Sequence, residues 1–219
     1  MTKAPAAVAF DVIGTLLNLE PLRERLSAIG QPPELLGEWY ARTVRDGMAL
    51  AATGDYSEFH DVAASALREM TGASDEQIAR VLSGFADLPA HQDALPALKM
   101  LAGAGVRVAL VSNGASKALT SFASRSGLAE YVYRVVSVGD VRRWKPSPIV
   151  YRYAAELLGV EPEGLALVAA HAWDIHGAKR AGLRAAYVDR DGRGYPPIFA
   201  APDVTAPDLV SAVEELLTS

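Results

Sequence analysis

The chain is predicted to form an α/β fold, a doubly wound parallel sheet with an all-helical insertion after its first strand. Three observations predict it. Residues 6–10 and 106–111 are short apolar runs that stop at polar turns, at Asp11 with Gly14-Thr15 and at Ser112-Asn113-Gly114, as buried strands do. The long stretch between them carries only helical patterning. After Asn113 short apolar runs alternate with helical patterns, which is how strands joined by crossover helices read. Together these make the core Rossmann-like.

The elements follow in order. Glu34 to Leu50 places apolar residues at Leu35, Leu36, Trp39, Val44 and Met48, and Tyr56 to Met70 does so at Phe59, Val62, Ala63, Leu67 and Met70. Both are helical spacings. Ser74-Asp75-Glu76-Gln77 supplies an N-cap and an acidic first turn for a helix running to Phe85. Tyr133 to Val138 is β-branched and reads as a strand, Ser147 to Leu158 as a helix, and Leu165 to Ala170 as a strand. Asp174 to Ala181 is a helix stopped by Gly182, Arg184 to Val188 a strand, Val204 a short edge strand, and Pro207 to Leu217 a closing helix. Arg190 to Pro197 reads as a turn-rich surface loop. The expected domains are a core of residues 1–16 and 93–219 and a helical insertion of residues 17–92.

Composition narrows the function classes. The chain has 219 residues, with 21 Lys and Arg against 26 Asp and Glu, four His and no Cys. A chain of this size buries roughly 70% of its unfolded surface, so a core needs no disulfide or structural metal. The absence of Cys removes thiol nucleophiles, Fe–S clusters and Cys-ligated zinc. A net charge of −5 without a basic cluster argues against nucleic acid and anionic membranes as partners. The N-terminal apolar run is too short for a signal peptide or a membrane span, so a cytoplasmic protein is expected. His60, His91 and His176 have no partners at metal-ligand spacing.

In open parallel sheets ligands bind beyond the carboxyl ends of the strands. Asp11, Ser112 with Asn113, and the segment from His171 to Asp174 all fall at such ends, and Lys145-Pro146 follows the strand at Tyr133 to Val138. Each alone is ordinary turn chemistry. Their recurrence at successive ends of one sheet makes them candidates for a common site. His171 can serve as a second base, as a partner for Asp174, or as a hydrogen-bonded loop histidine. Arg142 and Arg143 read as surface charges flanking Lys145.

Phe10-Asp11-Val12-Ile13-Gly14-Thr15-Leu16, Val111-Ser112-Asn113-Gly114, Lys145-Pro146, and Trp173-Asp174 with Gly177-Ala178 stand in order along the chain. They resemble the four motifs of the haloacid dehalogenase superfamily, and the helical insertion resembles its cap domain. The match runs from about Val8 to Val188. Within the superfamily the chain is similar to the type II, L-2-haloacid dehalogenase branch. Superfamily phosphatases carry a second Asp two residues after the nucleophile to protonate a leaving alkoxide; that position is Ile13 here. They also carry an acidic Mg²⁺ ligand four residues before the Asp174 position, where this chain has Ala170. A halide leaves unprotonated and needs neither group.

The resemblance implies a hydrolase acting on carbon–halogen bonds of small halogenated carboxylates, with no cofactor and no metal, and it allows a homodimer. It implies Asp11 as the nucleophile that forms an aspartyl ester and Lys145 as the cation that keeps Asp11 ionised. Thr15 and Ser112 would bond the carboxylates of nucleophile and substrate, and Asp174 would direct the water that cleaves the ester. Tyr151, Asn113 and Trp173 match positions lining the substrate and leaving group. Three departures stand out. Family dehalogenases carry Arg after a Trp in the first long cap helix, and here Tyr40 follows Trp39. Arg42 and Arg45 are turned about 160° and 220° away at 100° per residue. Ile13 replaces a frequent Tyr, and Ala169 and His171 stand where Ser and Asn are usual. The alternatives are a catalytically reduced relative that binds a small anion or a protein partner, and a small-molecule phosphatase.

Overall fold

A computed structural model describes residues 4–218; residues 1–3 and 219 of the expected core domain lie outside the described residues. The strands are β1 (Ala7–Phe10), β2 (Arg107–Ser112), β3 (Arg134–Ser137), β4 (Leu165–Ala169), β5 (Arg184–Val188) and β6 (Val204–Ala206). They form one sheet in the order β3-β2-β1-β4-β5-β6, parallel throughout. The order reverses between β1 and β4, so the crevice that binds ligands in such sheets opens where Asp11 and His171 leave the strands. Strand residues are buried on both faces, which explains why these segments read as continuous apolar runs.

Side chains alternate across the sheet and assign its two layers. Val8, Phe10, Val108, Leu110 and Val168 face α5 (Ala94–Gly103), α6 (Ser116–Arg125) and α10 (Leu209–Thr218). Ala7, Ala9, Ala109, Val111 and Leu167 face α8 (Pro148–Leu158) and α9 (Ala172–Arg180). Between β1 and α5 lie α1 (Leu22–Ser27), α2 (Leu35–Thr53), α3 (Phe59–Thr71) and α4 (Asp75–Leu82). A short helical turn, α7 (Val138–Val141), follows β3. No helix among the described residues is long and apolar enough to cross a membrane.

Most elements fall where the patterning puts them, and the differences are local. The box at Ser74 forms as read, with its hydroxyl accepting from Gln77 N and the Gln77 side chain accepting from Ser74 N. α4 ends at Leu82, short of Phe85, and a 3₁₀ turn takes over. α3 starts at Phe59 and not Tyr56, because the Ser57 carbonyl is taken by Trp144 Nε1 at 2.9 Å. α9 starts at Ala172, two residues before Asp174, with extended His171 as its N-cap. α1, α5 and α6 were not read from the sequence.

The insertion and the sheet share one apolar cluster, in which Trp39, Leu67 and Val81 are continuous with Val8 and Phe10. Trp144 is the joint. Its ring is fully buried, stacks on Phe59 at 5.9 Å and lies under Gly47, where a Cβ would come within 2.1 Å of it. The residue that precedes Lys145 is thereby held by α2 and α3.

Candidate active site

Asp11 leaves β1, and the chain turns at once through Gly14, whose φ of +84° is a left-handed conformation that favours glycine. The turn brings Thr15 back so that its hydroxyl donates to Asp11 Oδ2 at 2.6 Å, while Ala170 N donates to Thr15 Oγ1 at 3.0 Å. The loops after β1 and β4 are thus stitched together. Gly14 is needed for a second reason: a Cβ there would lie 3.0 Å from the His171 ring.

Lys145 reaches the same point from beyond β3. Its Nζ donates to Asp11 Oδ1 at 2.7 Å, to Asp174 Oδ2 at 2.6 Å and to Val111 O at 3.0 Å. All three ammonium hydrogens are therefore used inside the protein. Its backbone N–H donates to Asn113 Oδ1 at 3.0 Å, so Asn113 positions Lys145. Asp174 lies in the first turn of α9, where a carboxylate suits the helix dipole, and its Oδ1 accepts from the Tyr151 hydroxyl at 2.5 Å. Asp11, Lys145 and Asp174 are each no more than 3% exposed.

Burial alone would push the Asp11 carboxyl up, but the Lys145 ammonium and the bond and charge of His171 outweigh it and hold Asp11 well below the usual carboxylate range. Asp174 goes the other way: burial raises it, Lys145 lowers it, and the Asp11 charge adds to the rise. Burial opposes the charge on Lys145, yet the two carboxylates raise it above its ordinary value. The site is therefore an ionised Asp11 beside a fixed ammonium, with a second, more basic carboxylate on the far side of that ammonium.

His171 Nδ1 sits 3.0 Å from Asp11 Oδ2, so its partner is Asp11 and not Asp174. Its ring lies 5.3 Å from Trp173 and 5.5 Å from Tyr40. The Tyr40 hydroxyl donates to Ile13 O at 3.1 Å, which spends its hydrogen on the backbone. Burial, followed by the charges of Asp11 and Asp174, pushes the Tyr40 phenol far up, so it stays neutral. Arg42 and Arg45 pair with Glu38, Glu69 and Asp46 outside the site, as their helical offsets predict. The Ser112 hydroxyl accepts from Gly114 N at 3.1 Å and does not bond Asp11.

Two residues depart from their sequence readings. Arg190 is no surface loop residue: it pairs with Asp93 at 2.8 and 3.1 Å and donates to Thr15 O at 3.1 Å, anchoring the turn that carries Thr15. Its position directly beyond β5 was the available signal. His176 is half-buried and accepts from Ala200 N at 3.0 Å.

No group of three or more metal-ligating side chains converges among the described residues. The donor set does not fit Mg²⁺ either. Lys145 Nζ already bridges the two carboxylates, and Ala170 offers no side-chain oxygen.

Gly177 closes the far wall. A Cβ there would lie 2.5 Å from Pro146 Cβ, 2.6 Å from the Tyr151 hydroxyl and 2.9 Å from Pro146 O. Gly177→Ala is expected to cost about 1–3 kcal/mol by overpacking. Turnover should also drop, because both Lys145-Pro146 and Tyr151 must shift. Urea midpoints and initial rates check this, and an unchanged rate would show that the wall tolerates the shift.

Carboxylates bridged by an ammonium at the switch point of a parallel sheet, under a helical insertion, define an α/β site whose nucleophile is an aspartate, with no thiol available. Residues 5–182 match the family described as haloacid dehalogenase-like hydrolase, and the chain belongs to that family. It is 26% identical over 218 residues to haloacetate dehalogenase H-2 of Moraxella sp. (strain B), covering 96% of this chain and 97% of the relative. It is 30% identical over 191 residues to (S)-2-haloacid dehalogenase 1 of Pseudomonas sp. (strain CBS-3), covering 84% of each. The structure of L-2-haloacid dehalogenase from Xanthobacter autotrophicus superposes with a TM-score of 0.88 at 25% identity, covering 96% and 97%.

Proposed function

We propose that this protein hydrolyses the carbon–halogen bond of small 2-haloacids or haloacetates without a metal, through an ester on Asp11. The observation that carries the reading is the Lys145 contact, which keeps a buried Asp11 ionised while spending every ammonium hydrogen within the site. In this reading residues 17–92 form the cap over a core of residues 1–16 and 93–219.

The ionised Asp11 attacks the halogen-bearing carbon; a C–O bond forms as the C–X bond breaks, and the electron pair leaves with the halide. Water then attacks the ester carbonyl, directed by Asp174, whose raised proton affinity suits a general base. If Oδ1 carries the substrate, Oδ2 becomes the carbonyl oxygen. Thr15 donates to it, and His171 Nδ1 lies within reach, so the two form a small oxyanion hole. Collapse releases the 2-hydroxy acid and restores Asp11, with one net proton passed to solvent. Ser112 and Trp173 border the substrate, and Asn113 and Tyr151 hold Lys145 and Asp174.

The test is a panel of haloacetates, 2-halopropionates and phosphate esters with Mg²⁺ or chelator, reading halide and phosphate. Halide release that is indifferent to chelator is expected. Phosphate release that needs Mg²⁺ would overturn the reading, and release of neither would favour a reduced, ligand-binding relative.

Tyr40 predicts a specific weakness. A departing halide and a substrate carboxylate call for a fixed cation, and Tyr40 is neutral with its hydrogen spent on Ile13 O. Charge-assisted bonds contribute roughly 1.5–3 kcal/mol against about 1 for neutral ones, so Tyr40→Arg is expected to raise kcat/KM on 2-chloropropionate roughly 5- to 30-fold. A lower kcat/KM in the variant would show that the site does not use this wall for charge.

A further inference from the structure

A cavity of about 390 Å³ lies between the helical insertion and the sheet, beside the reaction centre. Its floor is the backbone that follows the site residues: Val12 and Ile13 come directly after Asp11, and Gly114 directly after Asn113. Its roof is Phe59 and Phe85 from the insertion, and its outer wall is α6 at Ala118 and Phe122. Carbon lines it almost throughout. The polar side chains are Glu58, His60 and Asp61, clustered where α3 begins.

We infer that this cavity binds the hydrocarbon tail of the substrate, so that the preferred substrates are 2-halocarboxylates with an alkyl or aryl-alkyl chain of about six to eight carbons. The inference rests on the dehalogenase reading for its head group. Charge sets the orientation. A substrate carboxylate is repelled from the end that holds Glu58 and Asp61 and is driven toward the Ser112 side, which leaves the apolar tail to enter the cavity. Size sets the class. An apolar cavity of roughly 150 Å³ accepts benzene, so this one exceeds what a methyl or an unsubstituted haloacetate would fill. Ile13 stands between the two compartments. It is buried, lines the cavity, and its carbonyl takes the Tyr40 hydrogen bond on the site's side.

Each methylene taken from water into the cavity contributes a factor of about four, so 2-bromohexanoate should exceed 2-bromopropionate in kcat/KM roughly 60-fold. Ala118→Phe fills the cavity from an exposed helix position outside the catalytic machinery, so the fold and the rate on 2-bromopropionate should be kept and the chain-length preference lost. Binding of the unhalogenated acids is measured in parallel by calorimetry. Heptanoate should bind wild-type protein more tightly than propionate and lose that advantage in Ala118→Phe.

The outcomes separate the two readings. Heptanoate that binds no tighter than propionate overturns the tail site, as does an Ala118→Phe variant that changes only the oligomeric state, since the groove then covers a second copy of the chain. Tail-dependent binding with no halide release from any 2-haloacid supports the cavity and overturns the reaction.

Discussion

Lys145→Met is expected to lower kcat/KM at neutral pH by more than about 10³-fold and to cost about 3–5 kcal/mol of stability. The shape of the side chain is nearly kept, so the loss is that of the charge. Without it, Asp11 and Asp174 face each other with no counter-ion and compete for a proton, as paired carboxylates do. Asp11 then carries a proton in the pH range where it now attacks.

The sign follows from the wild-type site. A carboxyl held below its unfolded value adds stability above that value, 3.8, and loses it only as pH falls further toward the folded value. Asp174, raised in the fold, contributes in the opposite sense. The variant forfeits the Asp11 contribution and keeps the Asp174 penalty. Its acid limb of halide release should therefore move to higher pH, and its urea midpoint should drop most at neutral pH. An acid limb that stays in place would show that Lys145 is not what keeps Asp11 ionised.

Asp11→Asn should lower turnover by at least about 10³-fold while the fold survives. The amide keeps the size of the carboxylate and can still accept from Lys145 and Thr15. Buried charge falls as well, since Lys145 is left with Asp174 alone. The isotopic form of the test is sharper than the rate. A single turnover of wild-type protein in heavy-oxygen water should place label in the Asp11 side chain, because water attacks the ester carbonyl and not the substrate carbon. Label that appears in the product but never in Asp11 would mean direct attack by water, with Asp11 acting as its base.

The sequence by itself determined the architecture and the chemical parts. Strand cores and their polar stops are local patterns, because a buried parallel strand must be apolar on both faces and must end where the chain turns. That placed Asp11, Ser112, Lys145 and Asp174 at one edge of the sheet. Helix starts with side-chain caps, such as Ser74, were legible for the same reason; α6, which opens on Ala115 without one, was not.

What only the tertiary structure decided is which of these groups touch. Asp11 and Lys145 are 134 positions apart, and Asp11 and His171 are 160. No local pattern tells a histidine beyond β4 to meet Asp11 and leave Asp174 to Tyr151. Nor does one show that Asn113 is spent on the Lys145 amide, Tyr40 on the Ile13 carbonyl, or Arg190 on Asp93 and Thr15. A buried polar group must find a partner wherever packing brings one within about 3 Å, and that choice belongs to the assembled fold. The same holds for the apolar cavity beside Ile13, whose walls come from segments that meet only when the insertion closes on the sheet.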